Sequence, residues 1–250
     1  MKERRVLVTG GSGTIGKAIV RALAAEGAFV AMASRAGQRL RDANQELRKE
    51  GLDVFAVVLD VESAESVGET VHLLDSHWGG IDVMFNCAGM GMTEFNPRIS
   101  KNALPFYAYG PETLRKAMDV NYFGYLSLMR AFIPFFLEQR SGMIVNVSMD
   151  TEILAVRGFG PVSPTRAATN TLTDIASMEL QGTGVSVNLL TPGGFIRGGM
   201  IPSDAQEENF GKFLPPEIMA EPAIFLASAE AAGLSGAHIV ASRFKRGDYG

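Results

Sequence analysis

Seven short runs of Val, Ile, Leu, Ala and Met recur along the chain, most of them separated by longer segments of helical period. This alternation constrains the fold more than any other feature. The runs are RVLVTG (5–10), AFVAMAS (28–34), DVFAVVLD (53–60), IDVMFNCAG (81–89), GMIVNVSM (142–149), GVSVNLLTP (184–192) and AHIVAS (237–242). Helices are expected over 14–26, 38–50, 62–78, 112–140 and 164–181, with a weaker pattern in PPEIMAEPAIFLAS (215–228). Near-continuous apolar runs, rather than alternating ones, are what a parallel sheet covered on both faces requires. Strand–helix alternation then points to an α/β protein, a doubly wound parallel sheet with helices on both faces. No repeat, low-complexity tract or linker divides the 250 residues, so one domain is expected.

Composition narrows the function classes. Hydrophobic residues make up 46% and charged residues 20%, ordinary for a packed globule. A net charge of −4 with scattered Lys and Arg gives no case for nucleic acid. A single cysteine, Cys87, excludes an internal disulfide and a Cys-rich metal site, which suits a reducing compartment. The apolar run in MKERRVLVTG is too short for a signal peptide. No run is read as a membrane span, since AFIPFF is brief and interrupted by Pro134. The expectation is a cytoplasmic protein with neither a membrane nor a nucleic-acid partner.

VLVTGGSGTIGKA (6–18) is a strand, a glycine turn and a helix start, with Gly10, Gly13 and Gly16 spaced G-x-x-G-x-x-G. Small residues there let backbone approach a pyrophosphate, and the helix N-terminus offers it free N–H groups. Asp60 ends the third strand, where its carboxylate would accept from an adenine amino group. Asn86 and Gly89 of NCAG end the fourth, in position to hold the turn beneath a dinucleotide. Ser34-Arg35 ends the second strand, where NAD binders place an acid for the ribose 2′-hydroxyl and an Arg accommodates a 2′-phosphate. The expected cofactor is NADP(H) in preference to NAD(H), on a Rossmann-type sheet.

These residues resemble the short-chain dehydrogenase/reductase family over nearly the whole chain. TGGSGTIG (9–16) is similar to its glycine motif, NCAG to its Asn-Asn-Ala-Gly, and DVNYFG (119–124) to the helix carrying its catalytic Asn, here Asn121. IVNVSM (144–149) resembles its fifth strand, NLLTPGG (188–194) its Pro-Gly loop, and FLASAEAAGLSGAHI (225–239) its C-terminal segment. The candidate cofactor-binding residues are Gly10, Ser12, Gly13, Thr14, Ile15, Gly16, Ser34, Arg35, Asp60, Val61, Asn86, Ala88, Gly89, Arg166, Pro192, Gly193 and Ile196. The candidate catalytic residues are Asn121, Ser148 and Arg166. The resemblance also implies a small-molecule substrate and a homodimer or homotetramer built on the two long helices.

The proton machinery departs from the family pattern, which is a Ser after the fifth strand and then Tyr-x-x-x-Lys. Here Met149, Val162 and Arg166 stand in the Ser, Tyr and Lys positions, with Ser148 one residue before the first. Valine donates no proton, and an arginine side chain, ionised up to about pH 12, is no proton relay. Such a loss disfavours reduction of an ordinary ketone more than reduction of an enone or imine. Asp150, Glu152, Tyr107 and Tyr109 are candidate substitutes, the tyrosines lying in a connection (90–111) that looks long for the family. Three classes stay open: an NADP(H) oxidoreductase with an altered proton source, a non-redox lyase, isomerase or cyclase, and a catalytically silent binding or scaffold protein.

Overall fold

The computed structural model describes residues 1–198, 200–202, 205 and 207–249. The strands are β1 (Arg5–Thr9), β2 (Phe29–Ser34), β3 (Val54–Val58), β4 (Val83–Asn86), β5 (Gly142–Val147), β6 (Val185–Thr191) and β7 (His238–Val240). All join one parallel sheet in the order β3-β2-β1-β4-β5-β6-β7. The helices are α1 (Thr14–Ala25), α2 (Gln38–Lys49), α3 (Ala64–Trp78), the short α4 (Met92–Phe95), α5 (Pro111–Met118), α6 (Gly124–Gln139), α7 (Ser163–Glu179), the short α8 (Glu207–Phe210) and α9 (Ala220–Ala227).

Pleating explains why the strands read as unbroken apolar runs. Val6, Val8, Val30 and Met32 face one core layer with Ile19, Leu23, Leu47 and Phe225. Their neighbours Leu7, Ala31 and Ala33 face the other, with Leu74, Leu128, Phe132 and Val187. On the central strands β1, β4, β5 and β6 nearly every side chain therefore lands in a buried layer whichever way it points. Arg5 locks β1 to the start of β4: its backbone N–H and Nε donate to Asp82 Oδ2 at 2.8 and 3.2 Å, and Nη2 donates to Oδ1 at 2.7 Å. Burial alone would raise the Asp82 carboxyl, but these bonds and the Arg5 charge outweigh it and hold its pKa below the ordinary value.

Helices α5 and α6 form one continuous rod, Pro111–Gln139, joined by a π-helical turn over Asp119–Phe123. The reading that Pro134 interrupts this run is corrected, because the helix continues through it. By length and composition the rod would cross a membrane, with a mean hydropathy of 1.2. Its inner face, including Leu128, Met129, Phe132 and Phe136, instead packs in a core layer with the sheet residues Leu7, Met84 and Ile144.

The chain runs outward from β1 to β3, then returns to the other side of β1 to make β4. The carboxyl ends of β1 and β4 thus flank the switch point at which open α/β sheets bind ligands. A third cluster, with Met92, Ile99, Phe159, Val162, Phe195 and Phe213, covers this end of the sheet.

Candidate active site

A cleft of about 500 Å³ opens at the switch point. Its floor is the turn from β1 into α1. Gly10 adopts φ +60°, and a Cβ there would lie 2.8 Å from the backbone of Cys87 and Ala88. A Cβ on Gly16 would collide with the Gly10 carbonyl oxygen. The Thr9 hydroxyl accepts from the N–H groups of Cys87 and Ala88 at 3.1 and 3.2 Å, tying the β4 exit to this turn. Helix α1 starts at Gly13 with no side-chain cap and no acid in its first turn. Its free N–H groups face a cleft wall formed by Ser12, Gly13, Thr14, Ile15 and Gly16, a fit for an anionic pyrophosphate.

Beyond this turn the cleft is lined by Ser34, Arg35, Arg39, Asp60 and Val61. Ser34 Oγ binds the Ser12 N–H and hydroxyl at 3.1 and 2.9 Å, fixing the β2 exit against the glycine turn. Arg35 and Arg39 are exposed and make no ion pair or hydrogen bond among the described residues, and Arg39 reaches over Gly13. Arg39 was not among the candidate residues, although it follows Arg35 by only four positions at the start of α2. Asp60 Oδ1 accepts from the Glu62 N–H at 3.1 Å, shaping the turn out of β3.

At the other end lie Ala88, Gly89, Ser148, Arg166, Pro192 and Ile196, with Met90, Met149, Phe159, Val162, Phe195 and Ile201 forming an apolar wall. Arg166 is only 4% exposed. Its Nη1 donates to the Tyr125 hydroxyl at 3.1 Å and to the Val147 carbonyl at 3.4 Å, with the guanidinium carbon 5.6 Å from the centre of the Tyr125 ring. Tyr125 is fully buried and donates to the Val147 carbonyl at 2.8 Å. Burial pushes its pKa up to about 12, against the opposing pull of the Arg166 charge. Burial likewise pushes the Cys87 thiol well above its ordinary range, Arg166 pulling it down. Tyr125 was not a sequence candidate, although it lies four residues after Asn121 on the same rod.

Several expected residues lie elsewhere. Asn86 is fully buried behind the cleft, donating to Asn146 Oδ1 at 2.8 Å rather than facing a ligand. Gly193, at φ +75°, backs onto Val240 and Ser242 while Pro192 and Gly194 line the cleft. Asn121 is also sealed: Oδ1 accepts from the Met90 N–H at 2.8 Å, and Nδ2 donates to the Met90 carbonyl and Thr165 Oγ1, each at 3.1 Å. The π turn frees its carbonyl to accept from Thr169 Oγ1 at 2.9 Å. Asn121 thus holds the loop after β4 against α7. Asp150 binds Arg243 at 3.0 Å, and Glu152 faces the same arginine at 3.4 Å. Tyr107 is 78% exposed, and Tyr109 donates to the Gly158 carbonyl at 3.1 Å. None of these four lines the cleft.

Residues 4–208 match the family model described as short chain dehydrogenase. The chain belongs to that family. An uncharacterised oxidoreductase of Staphylococcus epidermidis is 31% identical over 199 residues, covering 77% of this chain and 78% of its own. Another, from Staphylococcus aureus, is 29% identical over 228 residues, covering 90% and 91%. Among solved structures, a short chain dehydrogenase of Mycobacterium smegmatis is 26% identical, with a TM-score of 0.79 over 98% of this chain and 93% of its own. A Beutenbergia cavernae protein assigned as an NAD(P)-dependent gluconate 5-dehydrogenase, solved with NADP at low occupancy, is 25% identical, with a TM-score of 0.82 over 96% of each chain. Val162 stands where the sequence reading sets the family's tyrosine. It is 3% exposed and packed in the aromatic cluster, so the position expected for a tyrosine hydroxyl presents only methyl groups.

Proposed function

We propose that this short-chain dehydrogenase is an NADP(H)-dependent oxidoreductase. Its substrate is a small organic molecule (an enone, an imine or a carbonyl compound), and its proton source is not the family's tyrosine. The observation that carries the cofactor assignment is the pair Arg35 and Arg39, two exposed cations without acid partners among the described residues, after a β2 that ends without a carboxylate. The nicotinamide, when bound, supplies or takes up a hydride. Gly10, Gly13 and Gly16 shape the floor for the pyrophosphate, Ser12 and the α1 N-terminus bind it, and Arg35 and Arg39 take a 2′-phosphate. Ala88 and Gly89 form the bed for the inner half, beside Arg166.

The chain's own chemistry at the inner end is limited. Met90, Met149, Phe159 and Val162 exclude water and orient an apolar substrate. Ser148, whose hydroxyl donates to the Arg166 carbonyl at 3.4 Å, is the hydroxyl-bearing residue on this wall. Such a site favours acceptors that do not require a proton delivered together with the hydride. Exposed Leu137, Ile175 and Met178 on α6 and α7 support a homodimer or homotetramer, and the assembly is read as cytoplasmic.

The test is deuterium transfer from 4-deuterated NADPH to a panel of enones, imines and isolated ketones, followed by mass spectrometry. Label is expected in enone or imine products and weak or absent in ketone products. A second reading, a catalytically silent NADP(H)-binding protein, is favoured by the sealing of Val162 and Asn121. It prevails if NADPH binds and no acceptor across a broad panel gains label.

A further inference from the structure

We propose that the inner end of the cleft holds an organic carboxylate on an apolar body, gripped by the Nε–Nη2 edge of Arg166. This deepens the reading above and rests on the cleft being the cofactor and substrate site. The first support is an unmatched charge. Arg166 is more than nine-tenths buried, yet no carboxylate makes an ion pair with it among the described residues. The groups around it are the Tyr125 hydroxyl and ring from α6, the Val147 carbonyl from β5, and Cys87 and Gly89 from the loop after β4. All are dipoles or neutral groups. The nearby Asp150 is committed to Arg243. A buried guanidinium without a counter-charge is costly, and a ligand anion removes that cost.

The second support is the geometry of the fork. Tyr125 and Val147 engage Nη1 alone. Nε and Nη2 have no hydrogen-bond partner among the described residues, and neither is sealed from solvent. Nη2 abuts Gly89, where any added Cβ would collide with it. The open side is therefore the edge that presents two parallel N–H donors, the arrangement a carboxylate accepts in bidentate fashion. The hydroxyls of a nicotinamide ribose would bond this edge but bring no charge. The third support is the lining at this end of the cleft, where Met90, Met149, Phe159, Val162 and Phe195 offer contact to an apolar body. Tyr125 is then a positioning residue: it holds Nη1 and so aims the other edge into the cleft.

The experiment is calorimetric titration of the intact protein with trans-cinnamate and with its neutral amide, trans-cinnamamide, each with and without saturating NADP⁺. With NADP⁺ bound, the carboxylate is expected to bind at least about tenfold more tightly than the amide, the scale of a charged hydrogen-bond pair. Arg166→Met should bring the ratio to about one, while Arg166→Lys, which keeps the charge and loses the fork, should retain a reduced preference. Tyr125→Phe should lower the carboxylate preference without a comparable change for the amide. The wild-type ratio decides the matter even if a variant fails to fold. Equal binding of acid and amide, or binding of neither, overturns the proposal. So does a preference that disappears once NADP⁺ is present, because the cofactor then owns the edge. Absence of NADP⁺ binding in the same titrations overturns the cofactor reading, whereas NADP⁺ binding without acid preference overturns this proposal alone.

Discussion

Arg166 Nη1 donates to the Tyr125 hydroxyl at 3.1 Å, and that hydroxyl in turn donates to the Val147 carbonyl at 2.8 Å. A tyrosine and a cation are thus paired beside the cleft, but the tyrosine lies on α6, fully buried, and does not line the cleft. Arg166 stands where the sequence reading puts the family's lysine, whereas its tyrosine partner comes from α6 and not from position 162.

Tyr125→Phe removes one partner from the buried guanidinium and leaves the Val147 carbonyl short of a donor. Loss of a buried hydrogen bond of this kind costs about 1–3 kcal/mol. In a domain of this size that lowers the midpoint of thermal unfolding by about 2–4 °C per kcal/mol. Calorimetric melting of the variant checks this, and an unchanged midpoint would show that the hydroxyl is not holding Arg166.

The glycine turn yields a graded prediction. Gly16→Ala and Gly10→Ala press a methyl group into backbone, and Gly10 also has φ +60°. Both should abolish nucleotide binding and lower stability. Gly13→Ala sets its Cβ 3.0 Å from the Gly10 carbonyl, a contact that a small backbone shift relieves. It should weaken binding while leaving the fold intact, as circular dichroism and nucleotide titration would report.

Restoring the family's tyrosine at 162 should fail as a repair. Val162 is buried in the cluster that contains Phe159, Phe195 and Phe213, so Val162→Tyr overpacks it at a cost of about 1–3 kcal/mol. Denaturant unfolding measures the loss, and a variant as stable as the parent would mean the cluster has room for a ring.

The Arg5–Asp82 lock sets part of the acid response. Asp82 has a folded pKa below its ordinary value, so its contribution is present above the unfolded value of about 3.9 and is lost as pH falls through the folded one. Asp82→Asn should therefore destabilise the protein at pH 7 and narrow the gap to the parent below about pH 4. A gap independent of pH would mean that the carboxylate's charge is not what pins β1 to β4.

The strands were legible because burial on both faces writes itself as unbroken apolar runs, and the glycine turn because its packing admits nothing larger. Strand ends were less legible. The run 53–60 gives only Val54–Val58 as strand, because Asp60 shapes the turn into α3. The run 81–89 shortens to Val83–Asn86, because Thr9 draws Cys87 and Ala88 out of the ladder. The π turn that seals Asn121 carries no periodicity to read. The Tyr125–Arg166 pair joins positions 41 residues apart on separate helices, so no local spacing could have announced it.

A cleft that takes NADP(H) and reads its 2′-phosphate through Arg35 and Arg39 should respond more to NADPH than to NADH. The most direct measurement is a thermal-shift titration with NADPH and NADH on the parent and on Arg35→Glu. Ligand at a hundred times its dissociation constant adds about 2.7 kcal/mol, worth several degrees at about 2–4 °C per kcal/mol. NADPH should give a clear shift and NADH a smaller one, and the difference should be lost in the variant. Equal shifts with both nucleotides, or no shift with either, would contradict the NADP(H) assignment.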